Sequence, residues 1–250
     1  SSFLNKFLNT SMQIISNEKN NKKSLAIMQP YLFPYIGYFS LVENVNEFVF
    51  YDDVNFIKGG WINRNKILIN NNEYLFTVPL KKASSFKLIK NIEIFDIKLF
   101  KKQFIKKLET SYSKSKFYDF GLNYVNDVLD FPSNYISELA IYSILKILKV
   151  LKIETNISVS SIDNPNKKRI SGSDRIIDIA RSKKCDLYIN NIGGYGIYNA
   201  EYFREKGLEL NFLGIKDNSQ QFCNLSIIHL LMNYELEEIN TMLRYFSIIK

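Results

Sequence analysis

Apolar positions along the chain recur in two periods. Short runs rich in β-branched and aromatic residues predict strands over 25–29, 47–51, 74–79, 92–94, 157–160, 187–190 and 208–213. Between them, apolar residues spaced by three and four predict helices over 34–44, 97–111, 120–129, 133–151, 174–183, 199–206, 225–232 and 239–246. Asn70, Asn71 and Asn72 separate two short apolar segments and read as a hairpin turn. Strand and helix alternate at both ends of the chain, around a mainly helical block. That order predicts an α/β fold with a Rossmann-like, mostly parallel sheet built from N- and C-terminal parts, and a helical insertion or subdomain at about 97–153. No Pro-, Gly- or Ser-rich linker and no internal repeat breaks the pattern. One domain over 24–250, behind an N-terminal extension at 1–23, is the expectation.

Composition narrows the class. With 46% hydrophobic and 23% charged residues in 250, the chain has the balance of a folded globular protein. The most apolar helical stretch is interrupted by Glu138, Lys146, Lys149 and Lys152, so no transmembrane segment is expected. The first residues lack the continuous apolar core of a signal peptide. Cys185 and Cys223 stand apart from each other and from histidine, which argues against a disulfide framework or a metal site and for a reducing, cytoplasmic compartment. The net charge of +8 comes largely from lysines scattered on helix faces, such as Lys98, Lys101, Lys102, Lys106 and Lys107, without a nucleic-acid motif. No nucleic-acid partner is expected, but an anionic small molecule would be attracted.

Candidate chemistry gathers in four segments. MQPYLFPYIGYF, residues 28–39, follows the first strand and sets aromatic residues on a proline-stiffened turn. They either line a ligand cleft at the carboxyl end of the strand or form a buried corner. YDDVNFIKGGWINRNK, residues 51–66, puts Asp52 and Asp53 at a strand end and follows them with Lys58, Trp61, Asn63 and Arg64. Trp61 can stack a base or sugar, Arg64 can grip phosphate, and an aspartate can take a proton. Gly193, Gly194 and Tyr195 belong to a glycine-rich run after the strand LYIN, suited to anion binding or to a plain tight turn. Asn166, Lys167, Lys168 and Arg169 precede the helix start Ser171-Gly172-Ser173-Asp174-Arg175, where Ser171, Ser173 and Asp174 suit capping and Arg175 can meet an anion. The single histidine, His229, sits in the apolar sequence LSIIHLLMNY, as a packing residue does.

The segments IMQPYLFPYIGYF, YDDVNFIKGGWINRNKI, SGSDRI and YINNIGGYGIY resemble the WbqC-like protein family over residues 23–250. The resemblance implies a bacterial protein of surface-glycan biosynthesis, serving O-antigen, capsule or a glycosylated flagellin. Its implied role is N-acyl or aminoacyl transfer to the amine of a dTDP- or UDP-linked amino sugar. Gln29, Tyr31, Pro34, Gly37, Asp52, Asp53, Lys58, Trp61, Asn63, Arg64, Gly193 and Gly194 match the family pattern, whereas His229 stands where the pattern has an aspartate. A weaker likeness links Tyr35-Ile36-Gly37-Tyr38 to the H-x-G-H of nucleotidyltransferases, with tyrosines that cannot supply its positive charge.

The leading expectation is therefore a transferase. Tyr31, Phe33 and Trp61 pack the sugar or acyl moiety, and Asp52 or Asp53, with Lys58 nearby, serves the attacking amine. Gln29, Tyr35, Gly37, Tyr38, Asn63, Arg64, Gly193, Gly194 and Tyr195 complete the substrate site. No resident cofactor is indicated, and the donor is an acyl or aminoacyl thioester of coenzyme A or a carrier protein. A non-catalytic nucleotide-sugar or glycan binding protein and a nucleotidyltransferase are the alternatives.

Overall fold

The computed structural model describes residues 22–167, 169–216 and 223–249. Most of the expected N-terminal extension lies outside them. The sheet strands are β1 (Ser24–Met28), β2 (Glu47–Phe50), β7 (Asn156–Val159), β8 (Leu187–Asn191), β9 (Glu209–Ile215) and β10 (Phe246–Ile249). Their order is β10-β9-β8-β1-β2-β7, parallel throughout except for the antiparallel β9–β10 pair. The expected mostly parallel α/β sheet, assembled from both ends of the chain, is what the protein forms. Beside it lie the hairpin β3 (Arg64–Ile69) and β4 (Asn72–Thr77) and the short pair β5 (Leu80–Lys81) and β6 (Glu93–Ile94).

Strand alternation explains the layering. Leu25, Ile27, Val49, Tyr188, Leu210 and Phe212 face α6 (Gly172–Ser182) and Phe203 of α7 (Ala200–Glu205). Ala26, Phe48, Phe50, Val159, Leu187, Ile189 and Leu213 point the other way into a larger core. That core is shared with α1 (Ile36–Glu43), α2 (Ile97–Tyr112), α3 (Tyr118–Leu129), α4 (Ile136–Val150) and α8 (Ile227–Asn233). The helices between β6 and β7 thus bury their apolar faces in the same core as the sheet.

Turn chemistry follows the sequence. Asn70 and Asn71 both take positive φ, 50° and 60°, as a tight two-residue hairpin requires, and Ile69 pairs with Asn72. The end of the chain departs from its pattern. The apolar run expected as a helix over 239–246 divides into α9 (Leu236–Met242), a 3-10 turn (Leu243–Tyr245) and β10. β10 satisfies its backbone by pairing with β9, whose free edge outcompetes the helical period.

Candidate functional site

β2 ends at Phe50, and Tyr51 still donates its backbone N–H to the Met28 carbonyl at 2.8 Å, so Asp52 and Asp53 emerge at the carboxyl edge of the sheet. The neighbouring β7 is followed directly by Ser160 and Ser161, which open the short helix α5 (Ser160–Asp163). Asp52 turns towards that helix. It accepts the Ser161 N–H at 3.0 Å and the Ser161 hydroxyl at 2.7 Å, capping α5 from an adjacent strand. Burial raises its pKa against the opposing pull of these bonds.

The Ser160 hydroxyl lies between the two carboxylates, 3.1 Å from Asp52 and bonded also to Asp53. One Asp53 oxygen accepts that hydroxyl, and the other faces the Arg175 guanidinium at 3.1 Å. Arg175 is 1% exposed, an unusual burial for arginine. It extends from the first turn of α6 under the sheet edge, donates also to the Asn164 carbonyl, and lies 3.5 Å from Asp178. The anion Arg175 meets is therefore a carboxylate of its own chain. Tyr51 stands beside the pair, its phenol pushed up to about 12 chiefly by burial.

A cleft of about 600 Å³ opens over this cluster. Its wall includes Tyr51, Asp53, Leu88, Lys90, Ser161, Asn166, Arg169 and Gly172. Lys90 is fixed there because its N–H donates to the Asp52 carbonyl at 2.9 Å. Arg169 stands just before α6, in a left-handed conformation with φ 52°. Lys90 and Arg169 together with Asp53 in its lining give the cleft the polarity to hold an anionic ligand with a protic group turned inward.

None of residues 29–39 lines this cleft. Phe33 and Tyr38 have no exposed surface. Phe33 lies edge-on to Phe76 and Tyr124 at 6.2 and 5.6 Å, and the Tyr38 hydroxyl donates to the Gln29 carbonyl at 2.9 Å. Phe33 also carries a φ of 48°, a strained value for a bulky residue. Its carbonyl is held by Asn65 Nδ2 and Ser226 Oγ, each at 2.8 Å. Gly37 is a packing glycine: a Cβ there would lie 2.4 Å from the Tyr35 ring and 2.7 Å from Phe246. The sequence left two options for the aromatic turn, and most of it is a buried corner.

Tyr31 and Tyr35 are the half-buried aromatic residues of that turn, and Gln29 is half-buried beside them. Tyr31 packs at 5.6 Å from Tyr38, and burial pushes the Tyr35 phenol up to about 12. Tyr35 accepts a hydrogen bond from Asn191 of β8. The glycine run that follows divides by role. Gly194 makes room for the Asn190 side chain, whereas nothing lies within 4 Å of a Cβ at Gly193. Tyr195 is 72% exposed.

The remaining expected residues lie on a different loop. Arg64 donates to the carbonyls of Gly59 and Gly60 and covers Trp61, 5.8 Å from the ring centre, so it braces its own turn. Asn63 is buried and donates to the Val78 carbonyl at 2.8 Å. Lys58 is exposed on the same turn, away from the cleft wall. Ser160, Ser161 and Lys90 were not singled out by the sequence reading. The Ser-Ser pair closing the strand pattern 157–160 was the one available signal. His229 packs against Tyr112, with Nδ1 3.1 Å from its hydroxyl.

The model of the WbqC-like protein family matches residues 29–241, spanning both the aspartate loop and α6. The chain belongs to the WbqC-like family. A 64-residue stretch is 39% identical to the uncharacterized protein Rv1507c of Mycobacterium tuberculosis, covering 26% of this chain and 28% of that one. The chain thus spans less than a third of that relative's length. No solved structure matches at a significant level. Among the described residues no group of histidine, cysteine, aspartate and glutamate could hold a metal ion, and no helix is long and apolar enough to cross a membrane.

Proposed function

We propose that this WbqC-like protein is a transferase of bacterial surface-glycan biosynthesis, moving an acyl or aminoacyl group onto the amine of a nucleotide-linked amino sugar. The observation that carries the reading is Asp53. It is the carboxylate in the cleft lining, whereas Asp52 is engaged in capping α5. Lys90 and Arg169 would meet the diphosphate. The amine attacks the donor thioester, a C–N bond forms, the C–S bond breaks with release of thiolate, and the amine proton passes to Asp53. Ser160 and Arg175 hold Asp53 in orientation for that transfer.

A second reading, a protein that binds the nucleotide sugar without turning it over, draws support from the same contacts, because both oxygens of Asp53 already have partners. Thermal unfolding against dTDP- and UDP-amino sugars, coenzyme A thioesters and ATP with magnesium identifies the ligand. At ~100 times its Kd a ligand adds about 2.7 kcal/mol, a rise of roughly 5–10 °C. Asp53→Asn strands the Arg175 charge and melts lower, but assayed below its own melting temperature it is expected to keep the nucleotide-sugar shift and lose turnover by about 10²-fold or more. Full turnover in that variant removes Asp53 from the mechanism, and a sugar shift with no turnover in the parent protein leaves the binding reading.

A further inference from the structure

Two loops beside the cleft end in exposed apolar side chains. Residues 54–57 and 86–89 run antiparallel, joined by the Phe56 N–H to the Lys87 carbonyl at 2.8 Å, the Ile89 N–H to the Val54 carbonyl at 2.9 Å, and the Asn55–Leu88 bridge. Continuing that register sets Ile57 opposite Phe86. Phe86 is 92% exposed, Ile57 55% and Trp61 41%. The tips are fixed: Gly60 closes a turn onto the Ile57 carbonyl at 3.1 Å, and Arg64 grips Gly59 and Gly60. Around them Lys58, Lys82 and Lys87 are exposed, and among the described residues none of the three forms a salt bridge. Residues 54–72 and 82–92 contain no aspartate or glutamate.

We propose that this pair of tips docks the protein on an anionic lipid bilayer. Apolar side chains standing out singly from rigid tips have no groove to receive a peptide. They gain by burial only in a medium that is apolar just beneath its surface. The surrounding lysines fit the negative headgroups of such a surface, and tryptophan favours the headgroup boundary. Asn55 and Leu88 line the cleft and sit one position from Phe56 and Lys87, so docking brings the cleft mouth to the bilayer. The inference is independent of the transferase reading, since the tips lie outside the cleft.

Trp61 is the only tryptophan of the chain, so its emission reports the tip directly. The full-length protein is mixed with vesicles of phosphatidylglycerol and phosphatidylcholine, or of phosphatidylcholine alone, and followed by flotation and fluorescence. Flotation with the anionic vesicles at low salt, a blue shift of Trp61, and release at high salt are expected. Phe86→Ser with Ile57→Ser should weaken flotation by roughly tenfold or more, and Lys58→Gln with Lys82→Gln and Lys87→Gln should remove the preference for anionic lipid. All five positions are exposed, and unchanged melting temperatures show that the variants fold. No flotation with anionic vesicles, flotation untouched by the Phe86 and Ile57 changes, or a Trp61 response to RNA or to an acidic peptide but not to vesicles overturns the proposal.

Discussion

Gly37 and Gly193 both stood among the expected substrate-site residues, and their surroundings separate them. Gly37 is hemmed in by the rings of Tyr35 and Phe246, whereas Gly193 faces open space. Gly37→Ala is expected to destabilise by about 1–3 kcal/mol through overpacking, and Gly193→Ala by no more than about 0.5 kcal/mol. Urea unfolding of the two variants checks this. His229 makes a prediction of a different kind. Burial lowers its pKa from 6.5 to about 4, so between those values the unfolded chain binds a proton that the folded protein refuses. Its contribution is complete above pH 6.5 and falls by up to roughly 3 kcal/mol as pH drops through that window. The difference in stability between neutral pH and pH near 4 should be smaller in His229→Leu than in the parent. Equal slopes would mean that the ring titrates normally.

Among elements, the decisive join is between the end of β2 and the first turn of α6. Arg175 and Asp53 are nearly inaccessible, with side-chain exposures of 2% and 7%, so removing one partner strands a buried charge. Arg175→Met is expected to destabilise by about 3–5 kcal/mol, and adding Asp53→Asn should recover part of that loss. Strict additivity in the double-mutant cycle would show the two uncoupled. The start of α6 also corrects its sequence reading. Ser171 occupies the N-cap position, yet its side chain makes no capping bond, and the Asp174 carboxylate accepts from Tyr202 of α7 at 2.5 Å. Capping in trans by Asp52 could not be read from α5 itself, because donor and acceptor are 109 residues apart. Nothing local distinguishes such a cap from a catalytic carboxylate.

For the whole molecule, the question is whether the middle of the chain stands by itself. Ile67, Phe76, Phe104, Val125, Leu139 and Ile144 share one core with Phe48 and Phe50 of β2, Val159 of β7 and Leu231 of α8. Cut away from those strands, the middle segment would expose the apolar surface that stabilises it. An excised fragment of residues 54–155 is expected to show helical circular dichroism without a cooperative unfolding transition. A sharp two-state transition would instead establish an independent helical subdomain. The sequence alone determined five of the six strands of the sheet, its α/β class and the asparagine hairpin, because periodicity and turn preference are local properties. It also singled out Asp52 and Asp53 as candidates, since charge at a strand end is visible in order along the chain. Only tertiary structure decided which aspartate faces the cleft, that Arg175 belongs to Asp53, that the aromatic turn is mostly core, and that the last apolar run pairs as β10. Each of those outcomes depends on a partner far away in sequence, and burial, ion pairing and edge pairing are settled by what arrives from that distance.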